Sequence, residues 1–369
     1  MSGACDSCLR RAHLVAHLAP RIAGLLDRPT RPGRALLALG DHELVAAVAG
    51  VDITPAALLD GFRPRQAREA AGEAKVEAVC LHETGYPVRL RELTDAPAVV
   101  FSRGRTEMLG ALNEEPAVAL VGSRRPSPYG LEMARSLGRG MAAAGVLVVS
   151  GLALGIDAAA HRGCVEGAGF PVAVLAGGPD IPYPRSNRRI YEEVVRAGLV
   201  LSEMPPGQRA FRWSFPARNR LMAGLSGMTV VVEAADPSGS LITAEFAQDL
   251  GRIVGAVPGR VTARMASGSN ALLRDGAAVT RGSEDVLDDL LGTGAGAQAA
   301  GAVAARRRAA LPVDVAGVLD AVEAGEGVGA IAAAAGIPAR AARTALARLE
   351  AEGFVVRGPL GSYERAAGA

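Results

Sequence analysis

The chain has 369 residues, 49% of them hydrophobic and 21% charged, with a formal net charge of +2. That length exceeds one ordinary core and predicts two or three domains, and the hydrophobic share excludes a disordered chain. The near-neutral balance means that any polyanion site must come from local clustering of basic residues.

Lys75 is the only lysine among the 40 basic residues, which excludes a Walker A loop and with it the commonest route to ATP hydrolysis. The N-terminus carries Cys5, Asp6, Cys8, Arg10 and Arg11 where a signal peptide would be apolar. The longest uncharged run, Gly140 to Ile156, is broken by glycines and short for a membrane span. A cytoplasmic protein with no membrane partner is expected. In that compartment the cysteines Cys5, Cys8, Cys80 and Cys164 predict free thiols, not a disulfide framework. Cys5 and Cys8 followed by His13 and His17 loosely match a zinc-knuckle spacing. Leu9, Leu14, Val15 and Leu18 around them make an ordinary amphipathic helix, and this is the reading preferred; neither metal nor cofactor is expected.

Residues 1–80 read as a small helical domain of the sterile-alpha-motif type. Its segments are Leu9–Leu26, Gly33–Leu39, Asp41–Ala49, Thr54–Leu59 and Pro64–Ala71, with turns at Arg28-Pro29, Gly40-Asp41 and Gly61. Asp41 and Thr54 are the expected N-caps.

From 81 to 292 the texture changes. Apolar runs at Ala117–Val121, Val146–Ser150, Val172–Leu175, Leu199–Ser202, Thr229–Glu233 and Ile253–Val257 alternate with helical patterns such as Leu131–Ala144, Ser240–Leu250 and Ser283–Leu291. Continuous apolar strands separated by helices predict an α/β domain with a parallel sheet covered on both faces, and ligands at the carboxyl ends of its strands. Those ends are glycine-rich and polar. Residues 293–311 form an Ala/Gly linker ending in Arg306-Arg307-Arg308. In 312–369, Ile331–Ala335 and Ala339–Glu350 flank Gly336-Ile337-Pro338, and the second helix runs into Gly353, Phe354 and Val356. The pattern resembles a winged helix carrying Arg340, Arg343 and Arg348, either as a DNA contact or as a protein-docking module.

Four elements of the central region carry chemistry. Val121-Gly122-Ser123-Arg124 ends a strand, where backbone N–H groups and an arginine suit an anion. Ser150-Gly151 leads to Asp157 and His161 one helical turn apart; helix capping by Asp157 is preferred to an acid–base pair. Residues 185–220 hold eight arginines against three glutamates and include Phe211, Trp213 and Phe215, a composition suited to single-stranded nucleic acid. Pro237-Ser238-Gly239-Ser240 supplies hydroxyls and N–H groups where a helix begins. GxGxxG is absent, so a dinucleotide cofactor is not expected.

The runs VGSRRPSPYG, SGLALGID, YPRSN, SEMPPG, FPARNRLMAGLS, SGSLITAEFA and GSNALLRDGA, in this order and spacing, resemble the DprA/Smf family of DNA-processing proteins. The resemblance implies a Rossmann-like fold, a homodimer, a pocket for single-stranded DNA, and loading of RecA on incoming or damaged strands in natural transformation and recombination, without catalysis. Carried over, it places phosphate contacts on Arg124, Arg185 and Arg212 and base stacking on Phe215. Arg218, Asn219 and Arg220 then line the site, with Gly122, Ser123, Gly151, Asn187, Ser238, Gly239 and Ser240 as further contacts. Two alternatives remain. One is a nucleotide-cleaving enzyme of a related family, whose PGGxGTxxE loop Pro237–Glu245 partly matches. The other is a duplex-binding regulator acting through the winged helix.

Overall fold

A computed structural model of the chain describes residues 3–25, 36–296, 298, 311–322, 327–351, 354–358 and 362–365. The expected turn at Arg28-Pro29, the start of the Gly33–Leu39 helix and the Arg306-Arg307-Arg308 run lie outside them. The chain divides into two compact units, 1–293 and 294–369.

The described part of the first unit's N-terminal region includes the helices α1 (Asp6–Leu25), α2 (Asp41–Ala49), α3 (Pro55–Leu58) and α4 (Pro64–Glu73). Thr54 caps α3 by accepting from the Ala57 N–H at 3.2 Å, whereas the cap of α2 is Gly40 and Asp41 sits in its first turn. Residues 77–80, read as the end of the helical segment, instead form strand β1 (Glu77–Cys80) at the edge of the central sheet.

The remaining strands are β2 (Val99–Gly104), β3 (Ala117–Val121), β4 (Leu147–Ser150), β5 (Pro171–Val174), β6 (Leu199–Ser202), β7 (Met228–Val231), β8 (Ile253–Ala256) and β9 (Ala278–Val279). Between and after them run α5 (Ala111–Glu114), α6 (Pro128–Ala143), α7 (Ile156–Glu166), α8 (Arg188–Ala197), α9 (Ser214–Leu225), α10 (Gly239–Asp249), α11 (Ser267–Arg274) and α12 (Ser283–Leu291). The sheet order is β1-β2-β6-β5-β4-β3-β7-β8-β9. Pairing from β6 through to β9 is parallel, while β1 and β2 are antiparallel additions.

Strands β3 to β7 are buried throughout because both faces are covered. On β5 and β6, Val172, Val174, Leu199 and Leu201 pack with Leu221 and Met222 of α9, while Ala173 and Val200 pack with Ile190 and Val194 of α8 on the other face. The two-residue period thus feeds two apolar layers. Helices α6 and α7 cross closely because Gly138 and Gly163 sit at the crossing; a Cβ on either would strike the other helix's backbone, at Ala160 O or Arg135 O.

After β3 the chain builds outward through β4, β5 and β6, then returns to the other side of β3 with β7 and β8. The order reverses between β3 and β7, so the crevice of this doubly wound sheet opens beyond Val121 and Val231.

The second unit holds α13 (Val313–Ala321), α14 (Val328–Ala334), α15 (Ala339–Ala351) and an antiparallel pair, β10 (Val355–Arg357) and β11 (Tyr363–Arg365). Val318, Leu319, Ile331, Leu346, Leu349 and Phe354 form its core, and Arg340 and Arg343 are exposed on α15. Among the described residues no helix is long and apolar enough to cross a membrane.

Candidate nucleic-acid interface

A cavity of about 810 Å³ opens at the switch point. Its walls come from the loop after β3, the loop after β7 with the first turns of α10, one face of α9, and Tyr183.

Helix α9 explains which of its polar residues reach the cavity. Phe215, Arg218, Asn219 and Met222 follow the i, i+3, i+4, i+7 spacing of one helical face, and all four line the cavity. Arg220 stands about 200° around the helix from Arg218. It points into the protein, where Nε lies 2.9 Å from Asp95 and Nη1 and Nη2 donate to Glu203 at 2.9 and 2.8 Å. Its side chain is 1% exposed. The expectation that Arg220 lines the site is therefore corrected: the two carboxylates hold the guanidinium charged as an internal ion cluster.

Arg218 forms the cavity floor. Its Nη1 donates to Val174 O, and a Cβ at Gly151 would collide with the guanidinium, so Gly151 is needed for that approach and is not itself a ligand contact. Burial pulls the Arg218 pKa down to about 10, with Asp157 opposing and Arg124 reinforcing the shift; it stays charged at neutral pH. Burial also raises the Asp157 pKa, against the attraction of Arg218 and the N–H groups it accepts from. Those are Gly151 and Ala153, at 3.1 and 3.3 Å. Asp157 thus braces the loop before α7 from the first turn of the helix; the cap position is Gly155, which has no side-chain cap, so the capping expectation is corrected. His161 is fully buried, and its pKa is pushed down to about 3 by that burial. It does not line the cavity and makes no acid–base pair with Asp157 there.

The loop after β3 is used differently from the expectation. The Ser123 N–H donates to Glu233 O at 2.7 Å and its Oγ accepts from Arg125 N at 3.0 Å, so Ser123 braces the loop and its backbone N–H is not available to a ligand. Gly122 is required by space: a Cβ would lie 2.7 Å from Ile156 and 2.8 Å from Glu233 O. The N-terminus of α6 is closed as well, because Ser127 N and Oγ both donate to the Glu233 carboxylate at 2.7 Å. Arg124 remains, exposed and lining the cavity.

Arg124 lies 5.3 Å over the Phe215 ring, whose centroid is 5.2 Å from that of Tyr183. An arginine and two aromatics thus form one wall, and Arg212 stands at the same cavity. Tyr183 was missed from the sequence, although it opens the YPRSN run. The other two aromatics of the basic cluster do not belong here. Trp213 is buried among α1 and α2 side chains with Nε1 donating to Ala19 O at 3.0 Å, and Phe211 packs at the edge of that core.

Opposite stands the N-terminus of α10. Ser238 caps it, its Oγ accepting from Ser240 N at 3.4 Å and lying 2.8 Å from Ser240 Oγ; Ser238, Gly239 and Ser240 all line the cavity. Asn219 Nδ2 donates to Gly239 O at 3.0 Å and ties α9 to this turn. Asn187 is a brace, donating to Leu152 O and Ala153 O at 2.9 and 3.1 Å. Arg185 is exposed two residues beyond Tyr183 and does not line the cavity. Asp236 and Glu245 also line it, so the walls are not uniformly cationic.

The structure does not bring His13 and His17 to Cys5 and Cys8. On a helix, His13 lies about 140° and His17 about 180° around the axis from Cys8. His13 packs on Phe62 at 4.7 Å and His17 is exposed.

Residues 77–291, more than half of the chain, match the profile of the family described as DNA recombination-mediator protein A. Protein Smf of Synechocystis sp. is 36% identical over 231 residues, covering 63% of this chain and 58% of that relative's length. Among solved structures, DNA processing protein A of Streptococcus pneumoniae superposes with a TM-score of 0.60 at 32% identity, over 77% of this chain and 96% of that one. DNA processing protein A of Helicobacter pylori, whose structure is described for its single-stranded DNA binding mode, gives 0.52 at 30% identity, over 58% of this chain and 95% of that one. The chain belongs to the DNA recombination-mediator protein A family.

Proposed function

We propose that the switch-point cavity binds single-stranded DNA, and that the chain protects incoming or damaged strands and passes them to a RecA-type recombinase. The observation that carries the reading is the wall of Arg124, Phe215 and Tyr183 beside Arg212 and the α10 N-terminus. Aromatic rings accept any base by stacking, and arginines and helix N-terminal N–H groups hold the phosphates between them. The binding mode described for the Helicobacter pylori relative supports the same ligand. In this reading the protein acts in the cytoplasm as a homodimer, serves transformation and recombination, and catalyses nothing. The second unit is a winged helix whose α15 supplies an auxiliary contact.

The deciding experiment is an affinity comparison between oligo-dT and duplex DNA of equal length. Preference for the single strand supports the cavity reading, and preference for the duplex moves the function to the second unit. One observation favours a nucleotide-cleaving alternative, namely Glu245 at the cavity wall. Release of free base from a nucleoside monophosphate would establish it.

A further inference from the structure

Far from the cavity residues in sequence, three cysteines and a histidine meet. We infer that Cys5, Cys8, Cys80 and His82 form a structural zinc site that staples the N-terminal helix to the edge of the sheet. The Sγ atoms of Cys5, Cys8 and Cys80 and a ring nitrogen of His82 all lie within 4.8 Å of one another. His82 Nδ1 is 3.3 Å from Cys5 Sγ and 3.5 Å from Cys8 Sγ. A tetrahedron with Zn–S near 2.3 Å and Zn–N near 2.0–2.1 Å has S–N edges of about 3.5 Å and S–S edges of about 3.8 Å. Both imidazole–sulfur distances already match the S–N edge, and the remaining pairs lie within 4.8 Å.

The pattern is Cys-x2-Cys followed, about seventy residues later, by Cys-x-His. Its first pair spans the start of α1, and its second follows from the end of β1 into the next turn. Hydrogen bonding among thiols explains the convergence poorly, because a single Nδ1 faces two sulfurs and can donate well to only one of them. None of the four cysteines is disulfide-bonded. Three sulfurs and an imidazole suit zinc and disfavour magnesium or calcium, which take oxygen ligands. Four protein ligands close the tetrahedron and leave no open position for a substrate, so the site is structural.

The surroundings fit a thiolate centre. The Cys5 N–H points at Cys80 Sγ at 3.5 Å, and Ser7 Oγ lies 3.2 Å from Cys5 Sγ. Arg68 fixes the approach of the chain, donating to Ala4 O at 2.7 Å and to Asp6 at 2.6 Å. Three thiolates and a neutral imidazole leave one net negative charge on the zinc-loaded site, which the positive end of α1 offsets. Such supporting contacts orient ligands and raise affinity. None of the four ligands lines the DNA cavity, so the site is independent of the proposed function.

The test is metal analysis of the full chain purified without a histidine tag, after incubation with zinc sulfate and desalting. One zinc per chain is expected. His82→Ala and Cys80→Ser should each lower retained zinc about fivefold or more, whereas the double variant His13→Ala/His17→Ala keeps it. Because Cys80 is fully buried, wild type loaded with cobalt(II) gives a readout that needs no variant. A thiolate-to-metal charge-transfer band with tetrahedral d–d bands supports the site. Stripping the metal with a chelator should lower the melting temperature and change oligo-dT affinity less than about twofold. No retained zinc, an octahedral cobalt spectrum, or loss of zinc in the His13/His17 variant with retention in His82→Ala would overturn it.

Discussion

Two residues of α9, Phe215 and Arg220, carry opposite duties, and substitution separates them. Phe215 is half-buried against Tyr183 and Arg124. Phe215→Ala is expected to weaken oligo-dT binding by about 1–3 kcal/mol, measured by fluorescence titration, with Tyr183→Ala in the same direction. A variant that binds normally but melts much earlier would reduce Phe215 to a packing residue. Arg220 gives the reverse pattern. Removing its guanidinium takes away the ion pairs it makes with Asp95 and Glu203 inside the protein, and Arg220→Ala is expected to cost about 3–5 kcal/mol in denaturant unfolding. Folded Arg220→Ala protein should bind oligo-dT like wild type.

His161 sets a pH dependence of stability at the same scale. Its folded pKa near 3 lies below the ordinary value of 6.5, so the unfolded chain binds the proton first. The neutral ring's contribution is complete above pH 6.5 and is lost as pH falls from there towards 3. The loss approaches about 1.4 kcal/mol per pH unit inside that window. Unfolding in urea at pH 7 and pH 5 should show the fall, and His161→Gln should flatten it; an unchanged slope in that variant would assign the effect elsewhere.

At the scale of elements, the cavity is made by where helices begin. The N-terminus of α6 is closed by Glu233, while that of α10, after the neighbouring strand, opens onto the cavity. Both starts look alike in sequence, as a serine beside a proline. The difference lies in which strand end delivers a carboxylate. The second unit has its own core, which includes Val318 and Phe354, and the described residues that line the cavity all belong to the first unit. A chain ending at residue 293 is expected to keep oligo-dT binding within a few-fold of the full chain, since the first unit carries every wall residue. Complete loss of binding in that folded truncation would place the main interface in the second unit.

For the whole molecule, the few arginines at the cavity predict a modest salt response. Arg124 and Arg212 are exposed at the cavity and Arg218 forms its floor. Each phosphate neutralised on a single strand adds about 0.7 to the log–log slope, so two or three contacts give about −1.4 to −2.1. Titrations across a salt series test this. Arg124→Ala should lower the slope by about one contact, whereas a slope much steeper than three contacts would demand basic residues outside the cavity.

The sequence by itself determined the alternation that makes a covered parallel sheet, because continuous apolar strands have no other stable environment. It also marked the loops after β3 and β7 as the ligand side, since their glycines and hydroxyls sit at strand ends. It placed Asp157 at a helix start, where the carboxylate sits in the first turn of α7, but not its partners, which are loop N–H groups before the helix. Tertiary structure alone decided the rest. Phe211, Trp213 and Phe215 are equivalent as a string, and docking against α1 and α2 is what takes Trp213 from the site and leaves Phe215. Helical rotation sends Arg220 inward, but only the positions of Asp95 and Glu203 made it a buried cluster. Cys80 and His82 could not be matched to Cys5 and Cys8 by spacing, because β1 had been read as part of a helical segment. Local chemistry is carried by residues within a helical turn of one another; convergence across seventy residues is a property of the fold.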